Sequence, residues 1–204
     1  MLAGYLDLVT NLAPSLPSEP TRMTVERYLG LVEAGVLTTD DRVELLEGVV
    51  VAMTPSNPPH AAAVARANEA LRSAIGKRAH IRPQLSLVLG RSVPEPDLAV
   101  VPGSVGDYDT AHPTTALLVI EVADTSLKQD RLSKAAIYAA AGIPEYWIVN
   151  LRDGVVERMR DPDREEARYR EVRSVARGET LELVALPGAT VDVSELLPGS
   201  GSRR

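Results

Sequence analysis

Apolar positions recur along this chain with two periods, and the switches between them mark out the elements. After Thr24, whose hydroxyl suits a helix start, Val25, Tyr28, Leu29 and Val32 fall on one helical face, and Gly35 supplies the stop. From Arg42 the pattern becomes two apolar arms, 43–46 and 49–53, around Gly48, which predicts a hairpin. Pro55, Pro58 and Pro59 then break the backbone ahead of an Ala-rich helix over 60–79, with Val64, Leu71 and Ile75 at helical intervals. Strands are expected at 84–89, 98–101 and 115–122, the last an almost continuous aliphatic run of the kind found where a strand is covered on both faces. Ser126 with Gln129 reads as a capping box for a second Ala-rich helix that stops at Gly142. A strand at 145–149, an Asp153-Gly154 turn into 155–159, a charged loop at 161–166, and β character at 169–175 and 180–186 complete the pattern. No internal repeat interrupts it. The expectation is an α/β fold with a mixed central sheet, containing a strand–helix–strand unit over 115–151. An irregular arm (1–21) would precede a single domain (22–197) and a flexible tail (198–204).

Composition narrows the chemistry. The chain of 204 residues has no cysteine, which removes disulfide scaffolds, thiolate metal sites and cysteine nucleophiles, and fits a reducing, cytoplasmic setting. No apolar run is long enough to span a bilayer, and Asp7 interrupts what could otherwise be the apolar core of a signal peptide, so no membrane association is expected. The formal net charge is −6, which argues against broad polyanion binding through net charge. A local basic face stays open, because Arg66, Arg72, Lys77, Arg78, His80 and Arg82 form the most basic stretch; its simplest reading is a solvated helix face. One Trp, six Tyr and no Phe leave little for stacking single-stranded bases. No Gly-rich phosphate loop or nucleophile elbow is present, and His60, His80 and His112 lack zinc spacing.

Candidate chemistry lies where carboxylates interrupt apolar strands. Glu121 sits near the end of 116–120, an aliphatic run, and burying an unpaired charge there is expensive. It calls for a raised pKa, a cationic partner or a bound metal, unless the strand end reaches water. Asp97 opens the apolar run 98–101 after Val93-Pro94-Glu95-Pro96, as a turn or cap residue or as a second acid beside Glu121. Two carboxylates that close stay ionised only with a cation between them, for which a hard, oxygen-liganded ion such as Mg²⁺ is suited. Glu44 is a third acid among aliphatics, whereas Glu47 precedes the turn glycine and should be solvated. Asp130, Lys134 and Tyr138 share one helical face, as a surface ion pair with a packed tyrosine or as a lysine aimed at a metal-bound water or phosphate oxygen.

The ordered series Val43-Glu44-Leu45-Leu46-Glu47-Gly48, Met53-Thr54-Pro55 with His60, Pro96-Asp97, Val119-Ile120-Glu121-Val122, then Asp130, Lys134, Tyr138 and Gly142 to Trp147 resembles the Uma family of restriction-endonuclease-like proteins, within the PD-(D/E)xK nuclease superfamily. The resemblance covers about residues 22–195. It implies a restriction-endonuclease-like core, a mixed sheet flanked by helices with acids on adjacent strands. By resemblance Asp97 is the first metal-binding acid, Glu121 the second, and Glu44 an acid from an early element. The departure is Ala123, where the superfamily motif would place its lysine; Lys134 on the following helix is the natural replacement. His60 matches a histidine of the family pattern, with helix-start hydrogen bonding as its plainer role.

The function expected is metal-dependent phosphodiester hydrolysis, with Asp97, Glu121 and Glu44 holding Mg²⁺ or Mn²⁺ and Lys134 orienting the attacking water. The substrate would be nucleic acid, specifically DNA, and duplex cleavage would suit a homodimer with one site per strand. The alternatives are a non-catalytic nucleic-acid-binding module using Arg66, Arg72, Lys77 and Arg78, and a structural protein whose strand acids pair with arginines.

Overall fold

A computed structural model describes residues 21–199; the arm and tail expected from the sequence lie almost wholly outside them. Helix α1 (Val25–Glu33) begins at Thr24, whose Oγ1 accepts the Arg27 amide, and the Tyr28 hydroxyl ties it to the Val43 carbonyl. Strands β1 (Val43–Leu46) and β2 (Val49–Ala52) form the expected hairpin. Its two-residue turn has positive φ at both Glu47 and Gly48, which matches the right-handed twist of the strands.

Helix α2 (Pro58–Ile75) starts earlier than the apolar spacing predicts, because Asn57 caps it by accepting the His60 amide and prolines fill its first turn. It also ends earlier, at Gly76 rather than Ala79. Strand β3 (His80–Pro83) follows, in the basic stretch just beyond the expected helix, where no strand is expected. The strand expected at 84–89 does not form. Gln84 has φ +48, which ends the extended run, and the Leu87 and Leu89 amides fold back onto the Pro94 and Ser92 carbonyls.

The main sheet has six strands in the order β3, β4 (Leu98–Val101), β5 (Leu118–Ala123), β6 (Glu145–Asn150), β7 (Val155–Asp163), β8 (Arg168–Ala176). Only β5 and β6 pair in parallel, through the helical crossover between them, so the sheet is mixed. The Asp153-Gly154 signal belongs to a four-residue loop, with Gly154 in the left-handed region. The charged loop expected at 161–166 is strand in its first half and turn in its second: β7 runs to Asp163, and Arg170 pairs across the ladder with Asp161 and Asp163. Of 180–186 only β9 (Thr180–Glu182) is strand; it pairs with β10 (Thr190–Asp192), which leads into α5 (Val193–Leu196).

The crossover is not one regular helix. It consists of α3 (Leu127–Gln129), a π-helical turn (Asp130–Lys134) and α4 (Ala135–Ala140), and it ends before Gly142, φ +75. The capping box does not form, because Ser126 is itself helical and its hydroxyl donates to Asp130 Oδ2 at 2.6 Å.

Strand alternation divides the core between the two faces of the sheet. Leu98, Val100, Ile120, Val122 and Trp147 pack under α2 and the β9–β10–α5 unit. Ala99, Val119, Ala123, Tyr146 and Ile148 pack under Tyr138 and Ile137 of α4. Glu121 therefore points toward the crossover helix, as its neighbours at 119 and 123 do.

Candidate active site

Asp97 and Glu121 stand side by side where β4 begins and β5 ends. The last pair of the β4–β5 ladder is Leu98 with Ile120, and one step further the Asp97 amide points at Glu121 Oε2 at 3.4 Å. Asp97 Oδ2 accepts the Val122 amide at 2.8 Å and lies 3.1 Å from His60 Nε2; Asp97 Oδ1 is 3.5 Å from Gln84 Nε2. Asp97 is thus neither a free turn residue nor a helix cap. It is fixed by backbone, imidazole and amide groups from three segments.

Lys134 reaches the same place from the crossover. Its Nζ lies 2.9 Å from Glu121 Oε1 and 3.4 Å from Glu44 Oε1, and Tyr138 donates its hydroxyl to the same Glu121 oxygen at 2.7 Å. Glu44 Oε2 accepts the Glu95 amide at 3.2 Å. The surface-pair reading of Lys134 does not hold, since Lys134 is 7% exposed and Glu121 4%. The π-helical turn buries Asp130 and Lys134 together on this face, and such turns, with one extra residue, are frequent at functional sites. Arg131, within the turn, leaves on the other side, where two nitrogens grip Glu157 of β7 at 2.6 and 2.7 Å, with Asn150 Nδ2 donating to the same carboxylate.

Electrostatically the site is overloaded with negative charge. A cleft of about 60 Å³ is lined by Glu44, Glu95, Asp97, Glu121 and Asp130, with Lys134, His60 and Arg42 as the basic groups. The Glu121 carboxyl is pushed up to about 8, first by burial, then by Asp97, Asp130 and Glu44, against the pull of Lys134. Burial also raises Asp130, with the Ser126 hydroxyl opposing. For Lys134 burial works against the ammonium, but Glu121, Glu44 and Asp130 outweigh it and hold the pKa above its ordinary value. His60 is raised chiefly by its hydrogen bond to Asp97, and Tyr138 stays protonated because burial and the adjacent Glu121 carry its pKa well above the ordinary value.

The sequence reading did not single out Asn57, whose side chain caps α2 and donates to Asp124 at 2.7 Å, nor Ser56, whose hydroxyl lies 3.1 Å from His60 Nδ1. Asn followed by two prolines is a helix-start signal that would have found the first. Gln84 and Arg42 carried no such signal; both have positive φ and both line the cleft. Arg78, grouped with the basic stretch, instead donates to the Ala74, Ile75 and Pro187 carbonyls and closes the end of α2.

The profile of the Uma2 family, described as putative restriction endonucleases, matches residues 25–194. The chain belongs to that family. The Uma2 match covers every element from α1 to the start of α5, including all the cleft residues named above. A crystal structure described as a putative nuclease belonging to DUF820 from Anabaena variabilis shares the fold, with a TM-score of 0.66 at 14% identity over 85% of this chain and 97% of that one. The mixed six-stranded sheet with helices on both faces is therefore a nuclease-like fold. No curated protein sequence matches the chain. No helix among the described residues is long and apolar enough to cross a membrane.

Proposed function

We propose that this chain is a divalent-metal-dependent endonuclease that hydrolyses phosphodiester bonds in DNA, and that it acts in the cytoplasm. The observation that carries the reading is the contact of Asp97 and Glu121 on adjacent strands, with Lys134 and Tyr138 both bonded to Glu121 Oε1. Family membership and the nuclease-like fold support a hydrolase acting on nucleic acid.

The residues fit a hard cation. Glu121 Oε2 and Asp97 Oδ1 make only contacts of 3.4 and 3.5 Å, so each carboxylate keeps an oxygen nearly uncommitted, and the excess of buried acids is relieved by positive charge. Among the described residues no three acid or imidazole side chains form a ready cage. Mg²⁺ is usually held by one or two carboxylates plus substrate phosphates while keeping several waters. Asp97 and Glu121 would hold the ion, with Glu44 as a more distant acid whose present partner is Lys134. Bound there, it supplies Lewis acidity and a water of lowered pKa.

The chain's own groups do the rest. His60 and the Val122 amide fix Asp97, and Tyr138 fixes Glu121. Lys134, in the place that Ala123 leaves without a lysine, orients the attacking water and offsets charge developing on the phosphate oxygens. The attacking water gives up a proton to solvent as its oxygen bonds to phosphorus and the ester P–O bond breaks, and the leaving oxygen takes up a proton from solvent. Cutting both strands of a duplex calls for two such sites, hence a homodimer in this reading.

A non-catalytic DNA-binding protein is the second reading, favoured by Ala123 at the motif position. Cleavage of a supercoiled plasmid with Mg²⁺, Mn²⁺ or a chelator, for wild type, Asp97→Asn and Glu121→Gln, separates the two. Metal-dependent cutting lost in both variants is expected. Full activity in both would defeat the assignment, and DNA binding without cutting in the wild type would leave the binding protein.

A further inference from the structure

The basic stretch at the end of α2 is left unexplained by the cleft chemistry, and its most unusual member is Arg82. This side chain is 7% exposed, its Nε is buried without a hydrogen-bond partner, and no acid pairs with it among the described residues. A buried guanidinium without an anion is costly, so its place needs a reason. Its guanidinium carbon lies 5.3 Å from the Tyr108 ring centroid, and that ring is itself anchored by a 2.6 Å hydrogen bond from its hydroxyl to the Pro102 carbonyl. His80, two residues earlier, stacks on the same ring at 6.4 Å. The arginine is therefore held in one orientation by a fixed aromatic surface, with its terminal nitrogens left for an outside acceptor.

Strand β3 is an edge strand of the main sheet, so one side of it faces no other strand. Next to it lies a cavity of about 350 Å³ lined by Arg72, Lys77, His80 and Ser104, and no acid lines it. His80 has its pKa lowered by burial and by Arg82 and Arg72, so the arginines are close enough to be felt. At the other end, Gln84 touches Asp97. At about 3.3 Å per residue, Arg82 lies about 7 Å and His80 about 13 Å along the chain from Gln84. Arg82 on the edge strand, with Arg72 and Lys77 at the adjoining end of α2, thus sets positive groups outward from a cleft that is itself strongly acidic.

We propose that edge strand β3 carries a phosphate-binding track for the DNA backbone, with Arg82 clamping a phosphate beside the acid cleft and Arg72, Lys77 and His80 taking one further out. The proposal rests on the nuclease reading and assigns its substrate contacts. The planar fork of Arg82 suits bidentate contact with phosphate oxygens, and its cradle means little ordering is needed on binding. Attraction by the track also offsets the repulsion that a DNA strand meets at Glu44, Glu95, Asp97, Glu121 and Asp130.

The test is fluorescence anisotropy with a labelled 20-base-pair duplex, in chelator so that nothing is cut, over a range of salt concentrations. Arg82→Gln should weaken binding about tenfold and reduce the slope of log K against log salt by about one. Arg82→Lys should restore the slope but not the whole affinity, because the charge returns without the fork. The exposed pair Arg72→Ala with Lys77→Ala, which carries no folding risk, should reduce the slope by about two. Arg170→Gln, on the β7–β8 hairpin, should change neither. Wild-type affinity and slope in all the β3 and α2 variants would overturn the track while leaving the nuclease reading intact. No binding of the duplex by the wild type would also overturn the track, and the plasmid cleavage assay with metal then decides the nuclease reading by itself.

Discussion

Lys134 Nζ lies 2.9 Å from Glu121 Oε1, although the two residues come from different elements and both are buried. Because Glu44 Oε1 is also only 3.4 Å away, the ammonium is the counter-charge of two acids at once. Replacing it by Met leaves both facing each other across a dry site, which typically costs about 3 kcal/mol or more. Lys134→Met should lose that much stability in urea unfolding and at least about a hundredfold in cleavage rate. Adding Glu44→Gln should return part of the stability and none of the activity. A double variant no more stable than the single one would remove Glu44 from the network.

Tyr138→Phe tests a subtler contact. The phenol donates to the same Glu121 oxygen at 2.7 Å, and with that carboxyl pushed up to about 8 the bond at neutral pH is to a mostly neutral group, worth about 0.5 to 1.5 kcal/mol. The ring should stay packed, since only the oxygen is removed. Stability should fall by about that amount, the carboxyl of Glu121 should move further up, and the cleavage loss should be smaller than for Lys134→Met. An unchanged unfolding midpoint would mean that the hydroxyl is replaced by water at no cost.

These contacts show which parts of the site the sequence could announce. Glu121 and Asp97 were legible because a charge inside an aliphatic strand must be compensated, and strand alternation then puts Glu121 on the helix-covered face. The shared face of Asp130, Lys134 and Tyr138 was legible from spacing alone, but the π-helical turn through the first of them was not, because an extra residue in one turn leaves no compositional mark. Strand β3 is not legible because His80-Ile81-Arg82-Pro83 shows only one apolar residue between two basic ones, and nothing in Gln84 announces the φ +48 that stops a strand at 84–89 from forming. Edge strand β3 depends on tertiary pairing with β4, which outweighs the local pattern.

Metal affinity should depend on pH with a definite sign. Since the Glu121 carboxyl is pushed up to about 8, a cation binding to it below that pH must displace a proton. Affinity for Mn²⁺ should therefore rise by up to about tenfold per pH unit between roughly pH 6 and 8 and level off above. In the metal-free protein Glu121 works the other way. A carboxyl raised above its ordinary 4.5 contributes stability below that value and loses it as pH rises through 8. The metal-induced rise in Tm should thus grow from pH 6 to pH 8.5. Calorimetric titration and thermal melts at three pH values check both, and affinity flat across this range would contradict the role of Glu121 as a ligand.

The hairpin that presents Glu44 offers a test of how far the site depends on its scaffold. Gly48 has φ +77, and an added Cβ would lie 2.8 Å from Arg22 Cβ and 3.0 Å from the Met23 carbonyl oxygen, so Gly48→Ala meets both backbone strain and a clash. Gly154, φ +68 with nothing within 4 Å, meets only the strain. Gly154→Ala should cost about 1 kcal/mol and Gly48→Ala about 2 to 3 kcal/mol, the difference being the displaced chain at Arg22. The hairpin shares no ladder with the main sheet but is bonded to residues 91–95 ahead of Asp97, whereas Asp97 itself is also fixed by the Val122 amide and His60, so Asp97 and Glu121 should keep their positions in both variants. Gly48→Ala should therefore retain metal binding while losing activity in proportion to how far Glu44 slips from Lys134. Loss of metal binding as well would show that the hairpin positions more of the site than Glu44.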